Sequence, residues 1–284
     1  MELFYFCTHM KIAYVCYDGP LLTEEDLLLL HFLQHKGLDI HREVWTDTSV
    51  NWQQYDLAIL KSPWDYVDKI TEFYDWLSLL EGLGVRLLNP YATVRWNSDK
   101  HYLKEMIDLG YPVIPATFME KGESFDYTGT DKLIIKPCVS GGARHTFIVT
   151  QERIPEINLL LQEEAFMVQP FMKEIQEEGE WSFLFFNGRF SHCLLKTPVD
   201  GDFRVQHQFG GRSLYQQPPA NYLLTASSFV DRFAKGCLYA RVDGVVKDDQ
   251  FLLMELELIE PLLFLATHES SYEHYYQALK EIVF

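Results

Sequence analysis

Along the first ninety residues the apolar positions switch repeatedly between two spacings. Lys11–Cys16 and Leu57–Leu60 read as strands, the second apolar throughout, and Ile40–Trp45 and Val85–Leu88 are further runs of the same kind. Between them, Thr23 three residues ahead of Asp26 makes a capping-box start for a helix that Gly37 ends. Ile70, Phe73, Leu77 and Leu80 fall at helical spacing before Gly82 and Gly84 stop the pattern. Asp18-Gly19-Pro20 and Asn89-Pro90 are turn signals. Strands alternating with helices predict a parallel sheet in an open α/β unit, because parallel strands need a helical crossover between them.

Beyond Pro90 the pattern changes. Ser98 opens a helix carrying Tyr102, Leu103, Met106 and Ile107 on one face and closed by Gly110. Strands at Leu133–Lys136 and Thr146–Val149 flank the loop Pro137–His145; a helix over about 152–162 and a strand at Phe166–Gln169 follow. Trp181–Phe186 and Arg189–Lys196 form a hairpin about Asn187-Gly188, a pair suited to the two positive φ values of a type I′ turn. A helix at 222–238 and strands near Tyr239–Val246 and Phe251–Leu258 complete the chain. This second part reads as α+β with antiparallel hairpins.

The 284 residues are 48% hydrophobic and 23% charged, enough for a large core and unlike a disordered chain. No apolar run approaches the length of a membrane span. The net charge of −17 disfavours general binding to nucleic acid or anionic membrane, yet leaves room for a locally basic site that takes an anionic small molecule. Cysteines 7, 16, 138, 193 and 237 include no C-x-x-C pair, which points to buried thiols in a reducing cytoplasm and away from a disulfide framework or zinc site. Residues 1–9 lack the basic and long apolar regions of a signal peptide, and Met10 stands directly before the first strand; they are expected to be an extension without function.

No G-x-G-x-x-G follows the first strand, so a scaffold domain lending loop residues to a substrate is favoured over a dinucleotide site. Walker-type, H-E-x-x-H, G-x-S-x-G and kinase H-R-D patterns are absent from the sequence. His31 and His35 lie at i, i+4 without an evident third ligand and read as helix surface or core. His268 and His274, six apart, are a poor spacing for one helix face.

Four segments carry candidate chemistry. In DKLIIKPCVSGGAR, Lys136 ends a buried strand and Ser140-Gly141-Gly142 follows; glycine backbone N–H groups can cradle phosphate, although a plain hairpin with an exposed lysine looks the same. MVQPFM is either a hinge whose backbone edges a flat heterocycle or an ordinary strand ended by proline. In ARVDGVVKDDQFLLMELELIEP, Glu255 and Glu257 share one strand face beside Asp243, a costly arrangement unless a cation neutralises it or the face is wet. Oxygen ligands of this kind suit Mg²⁺. Finally, Arg204 in a turn-rich stretch ending Gly210-Gly211 could reach a phosphoryl group in transfer.

In this order the segments resemble the ATP-grasp superfamily over about residues 97–284, with residues 10–96 similar to the Rossmann-like domain that precedes it. Residues 196–212 resemble the bacterial glutathione synthetase pattern, and Ala240–Asp243 the ARVD segment of D-alanine–D-alanine ligases. SPWDY (62–66), NPYATVRWNSDKHYL (89–103) and GEWSFLFFNGRFSH (179–192) look like the branch containing the cycloserine-forming enzyme. The resemblance implies α/β plus α+β architecture, with a pre-ATP-grasp domain at 10–96, a small lobe at 97–168 and a C-terminal lobe at 169–284. It implies ATP contacts from Lys100 and Lys136, a flap of Ser140, Gly141 and Gly142, adenine recognition by Gln169 with Phe171 and Met172, and ribose recognition by Glu180. Arg204 and Arg241 would steady the γ-phosphoryl and acyl-phosphate, and Asp243, Glu255 and Glu257 would hold Mg²⁺.

The implied activity is ATP-dependent joining of a small-molecule carboxylate to an amine, by a monomer or homodimer that binds neither nucleic acid nor membrane. Ser62, Trp64, Asp65 and Tyr66 follow a predicted strand at the end where open α/β sheets bind ligands, and stand either as substrate wall or as domain-interface packing; Asp65 is the expected partner of a substrate ammonium. Two departures stand out: Glu257 occupies the place where relatives usually carry Asn, and Leu258-Ile259-Glu260-Pro261 runs on where they often show a Pro-Gly turn. The rival readings are a nucleotide-binding regulatory module without turnover and an ATP-dependent modifier of a protein C-terminus.

Overall fold

The structure is a computed structural model, which describes residues 10–19, 23–199, 204–205 and 210–283. The expectation for residues 1–9, and most of the stretch around Arg204, fall outside them. Strands β1 (Lys11–Cys16), β2 (Asp39–Val44), β3 (Leu57–Ser62) and β4 (Arg86–Leu88) form a parallel sheet in the order β2-β1-β3-β4, flanked by helices α1 (Glu24–His35) and α2 (Ile70–Gly82). The capping box at the start of α1 forms as expected: Thr23 Oγ1 accepts from Asp26 N at 3.2 Å and the Asp26 carboxylate from Thr23 N at 3.3 Å. β1 and β3 are buried along almost their whole length, which explains their apolar runs.

Two helices follow, α3 (Tyr91–Asn97) and α4 (Tyr102–Asp108), where one helix from Ser98 was expected. Residues 98–101 are a turn instead, and Asp99 closes it by accepting from His101 N at 2.9 Å. An antiparallel sheet ordered β5-β8-β6-β7 is then built from β5 (Thr117–Met119), β6 (Leu133–Pro137), β7 (Phe147–Ile148) and β8 (Phe166–Pro170), with α5 (Ile154–Leu161) packed on one face. The boundary expected between residues 168 and 169 falls inside β8.

After the short α6 (Glu174–Glu177), a five-stranded antiparallel sheet runs β11-β10-β9-β12-β13: β9 (Glu180–Phe186), β10 (Arg189–Thr197), β11 (Arg212–Tyr215), β12 (Tyr239–Lys247) and β13 (Gln250–Glu257). Asn187 and Gly188 both take positive φ, 47° and 74°, as the I′ turn requires. α7 (Ala220–Phe233) covers one face and ends five residues sooner than the spacing suggested. The last helix, α8 (Ser271–Val283), was not anticipated; its buried stripe of Tyr275, Ala278 and Leu279 holds one strong hydrophobe, a weak periodic signal. β5 and β11 escaped notice because three or four residues with mixed polarity show no period.

α8 matters for assembly. Tyr275, Ala278 and Leu279 pack with Ile12, Tyr14, Ile59 and Leu88 on one side and Leu184, Phe186 and Leu194 on the other, so the parallel and central sheets share a core. Buried polar side chains complete the join. Asn89 Nδ2 donates to Tyr239 O (2.9 Å) and Leu258 O (2.7 Å) while its Oδ1 accepts from Leu238 N (2.7 Å). Asn97 bridges Leu256 O and Leu258 N, and the Tyr239 hydroxyl reaches Leu60 O and Ile259 O. These side chains satisfy the backbone of residues 256–259 where β13 runs out of partners.

Candidate active site

Strand β12 lays out the site in order. Ala240, Val242 and Val246 point one way and pack beneath α7 with Ala226, Phe229 and Val230. Tyr239, Arg241, Asp243 and Val245 point the other way, so one face carries an interdomain contact, two charges and an apolar patch in succession. On the neighbouring strands the same face presents Glu180 and Ser182 from β9, Lys196 from β10 and Glu255 and Glu257 from β13. Registers bring them level: Lys196 opposes Glu180, Ser182 opposes Asp243, Asp243 opposes Glu255 and Arg241 opposes Glu257.

Two irregularities create this alignment. The β9–β10 pairing shifts between Phe190 and His192, and the β12–β13 pairing shifts between Asp243 and Gly244, where Met254 is the extra residue. The second bulge lets Leu252 and Met254 share a face with Glu255 and Glu257, although strict alternation would separate them. Gly244 permits the close approach: a Cβ there would lie 2.3 Å from Leu252 O and 2.5 Å from the Phe251 ring.

The charges are tightly paired. Arg241 Nε donates to both Asp243 oxygens at 3.1 and 3.0 Å, its Nη2 pairs with Glu257, and its Nη1 donates to Leu262 O at 2.9 Å. Lys196 Nζ lies 3.0 Å from Glu180 and 3.4 Å from Asp243, and Ser182 Oγ also donates to Asp243. Burial would raise Asp243, but Arg241 and Lys196 outweigh it and hold the carboxyl at about 2. Glu257 behaves oppositely: burial, with Asp243 and Glu255 nearby, lifts it to about 8 in spite of Arg241. Burial also raises Glu180 beyond what Lys196 offsets. Three carboxylates on one face, all oxygen donors, fit a hard divalent cation, so Asp243, Glu255 and Glu257 are suited to Mg²⁺.

The small antiparallel sheet faces this array. On β6, Ile135 enters the local core while Lys136 points toward the carboxylates; burial lowers Lys136, nearby Lys100 adding to the effect and Glu255 opposing it. Lys100, in the turn before α4, lies 3.1 Å from Glu255 and donates to Ser140 O at 2.6 Å. Burial pushes Glu255 up, but Lys100 and Lys136 prevail and bring it below the ordinary value. The loop after β6 turns through positive φ at Gly142 (58°) and Ala143 (62°), with Ser140 Oγ bonded to Pro137 O at 2.9 Å. On β8, the buried Gln169 amide donates to Ile114 O at 3.5 Å, and beside it Ile114, Met172 and Val245 form an apolar cluster with Leu252 and Met254. Phe171 caps this end under Lys132, whose Nζ stands 3.5 Å from the ring centroid.

At the opposite end lie the residues after β3. Tyr66 is buried and Trp64 Nε1 donates to Glu260 O at 3.1 Å. Ser62 is wholly buried. Asp65 has both oxygens engaged, by Trp45 Nε1 at 2.7 Å and Lys69 Nζ at 2.8 Å, so the expected ammonium partner is occupied as a local brace. Arg204 is half-buried.

Three contributors escaped the sequence reading. Lys196 was visible merely as the end of a strand, Glu260 as part of a missing turn, and Phe264, whose ring lies 5.5 Å from Lys196 Nζ and 5.7 Å from the Arg241 guanidinium, as one of several apolar residues. The available signal for the first was a lysine one residue from the position opposite Glu180 in a regular hairpin. His31 and His35 are exposed on α1, away from these groups, whereas His268 and His274 stack at 6.0 Å because the chain turns between them before α8.

The fold and its charged face have counterparts among known proteins. A family model described as D-cycloserine synthetase DcsG, N-terminal domain, matches residues 12–89. Over 259 residues the chain is 27% identical to the cycloserine biosynthesis protein DcsG of Streptomyces lavendulae, spanning 84% of this chain and 86% of that protein. The crystal structure of D-cycloserine synthetase DcsG superposes with a TM-score of 0.81 at 22% identity, covering 95% of this chain and 99% of the other. D-alanine–D-alanine ligase from Bacillus anthracis, complexed with ATP, superposes with a TM-score of 0.68 at 16% identity over 96% of each chain. In motif order and in its two facing antiparallel sheets the chain is similar to these ligases, and it shares the fold of ATP-grasp proteins, the RimK-domain ATP-grasp protein of Sphaerobacter thermophilus among them.

Proposed function

We propose that this protein is an ADP-forming ligase, dependent on ATP and Mg²⁺, that converts a carboxylate of an amino-acid-like small molecule into an acyl-phosphate and passes it to an amine. The observation that carries the reading is the convergence of Lys100 and Lys136 from one side on Arg241, Asp243 and Glu255 from the other. Cations set against paired carboxylates are what a phosphoryl transfer needs, because positioning and charge neutralisation supply most of its catalysis. No side chain has to act as a covalent nucleophile.

Gln169 would meet the adenine, with Phe171 and Met172 at its edge and Ile114, Val245 and Met254 beneath it; Glu180 would take the ribose. Lys100 and Lys136 would bind phosphate oxygens, Lys100 exchanging Ser140 O for them, while Ser140, Gly141 and Gly142 close over the chain of phosphates. Bound at Asp243, Glu255 and Glu257, Mg²⁺ would neutralise charge on the phosphates. Arg241, released from Glu257, and Arg204 would then face the γ-phosphoryl and acyl-phosphate oxygens. Trp64 and Tyr66 would wall the substrate end, with Ser62 and Asp65 behind them as support. Free, buried cysteines at 16, 138, 193 and 237 favour a cytoplasmic setting. Among the described residues no helix is long and apolar enough to cross a membrane.

The test is thermal stabilisation by ATP or a non-hydrolysable analogue, with and without Mg²⁺, followed by ADP release with amino acids. A Mg²⁺-dependent rise that Asp243→Asn and Glu255→Gln abolish is expected, since a ligand that binds the folded state stabilises it as the logarithm of its concentration over Kd. No rise at millimolar ATP would overturn the reading.

A further inference from the structure

We infer that Glu260, backed by Tyr66, is a subsite for the ammonium group of an amino-acid substrate. The inference rests on the ligase reading and adds to it the group that recognises the substrate's positive charge.

Glu260 sits in a segment held from every side. Asn97 Oδ1 accepts from Leu258 N at 2.9 Å, and the Tyr239 hydroxyl donates to Ile259 O at 2.7 Å. Trp64 Nε1 donates to Glu260 O, Lys61 Nζ to Pro261 O at 3.4 Å and Arg241 Nη1 to Leu262 O at 2.9 Å. The Glu25 carboxylate accepts from Leu263 N at 2.8 Å and Leu265 N at 2.9 Å. This stretch replaces the Pro-Gly turn of relatives, and its bonds fix where the side chain of residue 260 points.

The side chain points into the site. Its Oε1 lies 3.8 Å from the place a Cβ on Gly141 would occupy, so it abuts the loop assigned to the phosphates. The charges that act on it are Lys100, Glu255 and Arg241. It lies at the Tyr66 and Trp64 end, away from the apolar cluster of Ile114, Met172 and Val245 at the nucleotide end.

Its partner is unlike those of its neighbours. Lys100 pairs with Glu255, Arg241 with Asp243 and Glu257, and Lys196 with Glu180 and Asp243. Among the described residues Glu260 makes no ion pair, and the neutral Tyr66 hydroxyl is its side-chain neighbour. Burial lifts its carboxyl to about 7. A half-buried carboxylate whose nearest partner is a neutral phenol gains from an incoming cation. Trp64 and Tyr17, with ring centroids 5.6 Å apart, add aromatic surface nearby, which suits an ammonium. Asp65, the acid nearest in sequence to this wall, is committed to Trp45 and Lys69.

Hydroxylamine trapping on the full chain separates the outcomes. With ATP and Mg²⁺, hydroxylamine displaces phosphate from an acyl-phosphate: the C–O bond to phosphate breaks, the C–N bond forms, and nitrogen gives its proton to buffer. The carboxylates supplied are alanine and serine, each in both configurations, with propionate as the counterpart lacking an amine. If Glu260 binds the donor's own ammonium, Glu260→Gln lowers amino-acid hydroxamate formation in kcat/KM by roughly 100-fold and leaves the slow propionate reaction within about threefold. If it binds the acceptor's ammonium, hydroxamate formation survives and amide formation between amino acids falls by roughly 100-fold. Tyr66→Phe moves the same quantity in the same direction by about tenfold, which guards against a folding defect in the first variant.

Loss of every reaction, propionate included, would assign Glu260 to phosphate or metal chemistry and overturn the subsite, as would no loss at all. Absence of any hydroxamate from the unsubstituted protein would overturn the ligase reading, and the subsite with it; hydroxamate that Glu260→Gln leaves unchanged, together with unchanged amide formation, overturns the subsite alone.

Discussion

Two clusters of buried charge lie on either side of the segment 258–265, and they are satisfied in different ways. In the first, Lys61 Nζ sits 2.8 Å from Asp26 and 3.3 Å from Glu25. Burial would lower Lys61, yet these two acids outweigh it and raise the lysine above its ordinary value. The remaining carboxylate oxygen positions are filled by backbone: Leu263 N and Leu265 N on Glu25, Thr23 N on Asp26. In the second, Asp243, Glu255 and Glu257 are met chiefly by side chains, namely Arg241, Lys196, Lys100 and Ser182. A backbone N–H cannot leave without unfolding its segment, whereas an arginine or lysine can turn about its side-chain bonds to face an arriving phosphate. Buried charge therefore does not mark an active site by itself. Exchangeable partners do.

The sharpest way to separate the clusters is to neutralise one acid in each sense. Glu255→Gln should lower ADP formation by roughly 100- to 1000-fold, measured by a coupled assay, while the melting temperature moves by a few degrees at most. A large fall in stability with activity retained would reverse the assignment. Lys61→Met should do the opposite. It strands Glu25 and Asp26 in the core, and chemical denaturation should register a loss of about 3–5 kcal/mol. Affinity for an ATP analogue, measured below the new melting temperature, should stay within a few-fold.

A pH profile probes the closed side further. His192 is pinned between Leu263 O, 2.9 Å from Nε2, and Ser191 Oγ, 3.0 Å from Nδ1, and burial pushes it down to about 4, with His268 and His274 contributing. Its unfolded value is about 6.5, so as pH falls the unfolded chain takes up the proton first. The stability is whole above about pH 6.5 and is lost as pH drops through about 4, on the order of 3 kcal/mol in all. His192→Gln should flatten that part of the profile; an unchanged acid limb would mean that other groups carry it. The smallest effect belongs to the open side's architecture. Gly244→Ala forces a Cβ against Leu252 O, and overpacking of this kind costs about 1–3 kcal/mol in equilibrium unfolding. It should also weaken nucleotide binding, because the same bulge aligns Met254 with Glu255.

The parallel sheet was legible because each of its strands and helices announces itself locally. Thr23 and Asp26 cap α1 whatever lies beyond it, and the apolar runs of β1 and β3 need no partner to be recognised. Asn187-Gly188 names its own turn. The candidate residues Lys100, Lys136, Asp243 and Glu255 do come together, since their spacing along the chain is that of a known arrangement. Asp65 shows the limit of that reading: its type suited an ammonium, but Trp45 reaches it from beyond β2 and Lys69 from the next turn of chain.

Local spacing and residue chemistry therefore determined most of the longer elements and the hairpin turn, and together with the family resemblance most members of the charged array. The alignment of that array did not follow from them. A regular hairpin about Asn187-Gly188 would set Leu195 opposite Glu180, and a regular β12–β13 pairing would set Met254 opposite Asp243. One bulge in each pairing moves Lys196 and Glu255 into those places instead. A bulge forms where the packing on both faces of a sheet is better with one extra residue, as Leu253 and Leu256 under α7 and Leu252 and Met254 against Ile114, Met172 and Val245 demand here. Such a balance involves groups far apart in the chain, so it exists once the sheets have met and nowhere in any short stretch of sequence.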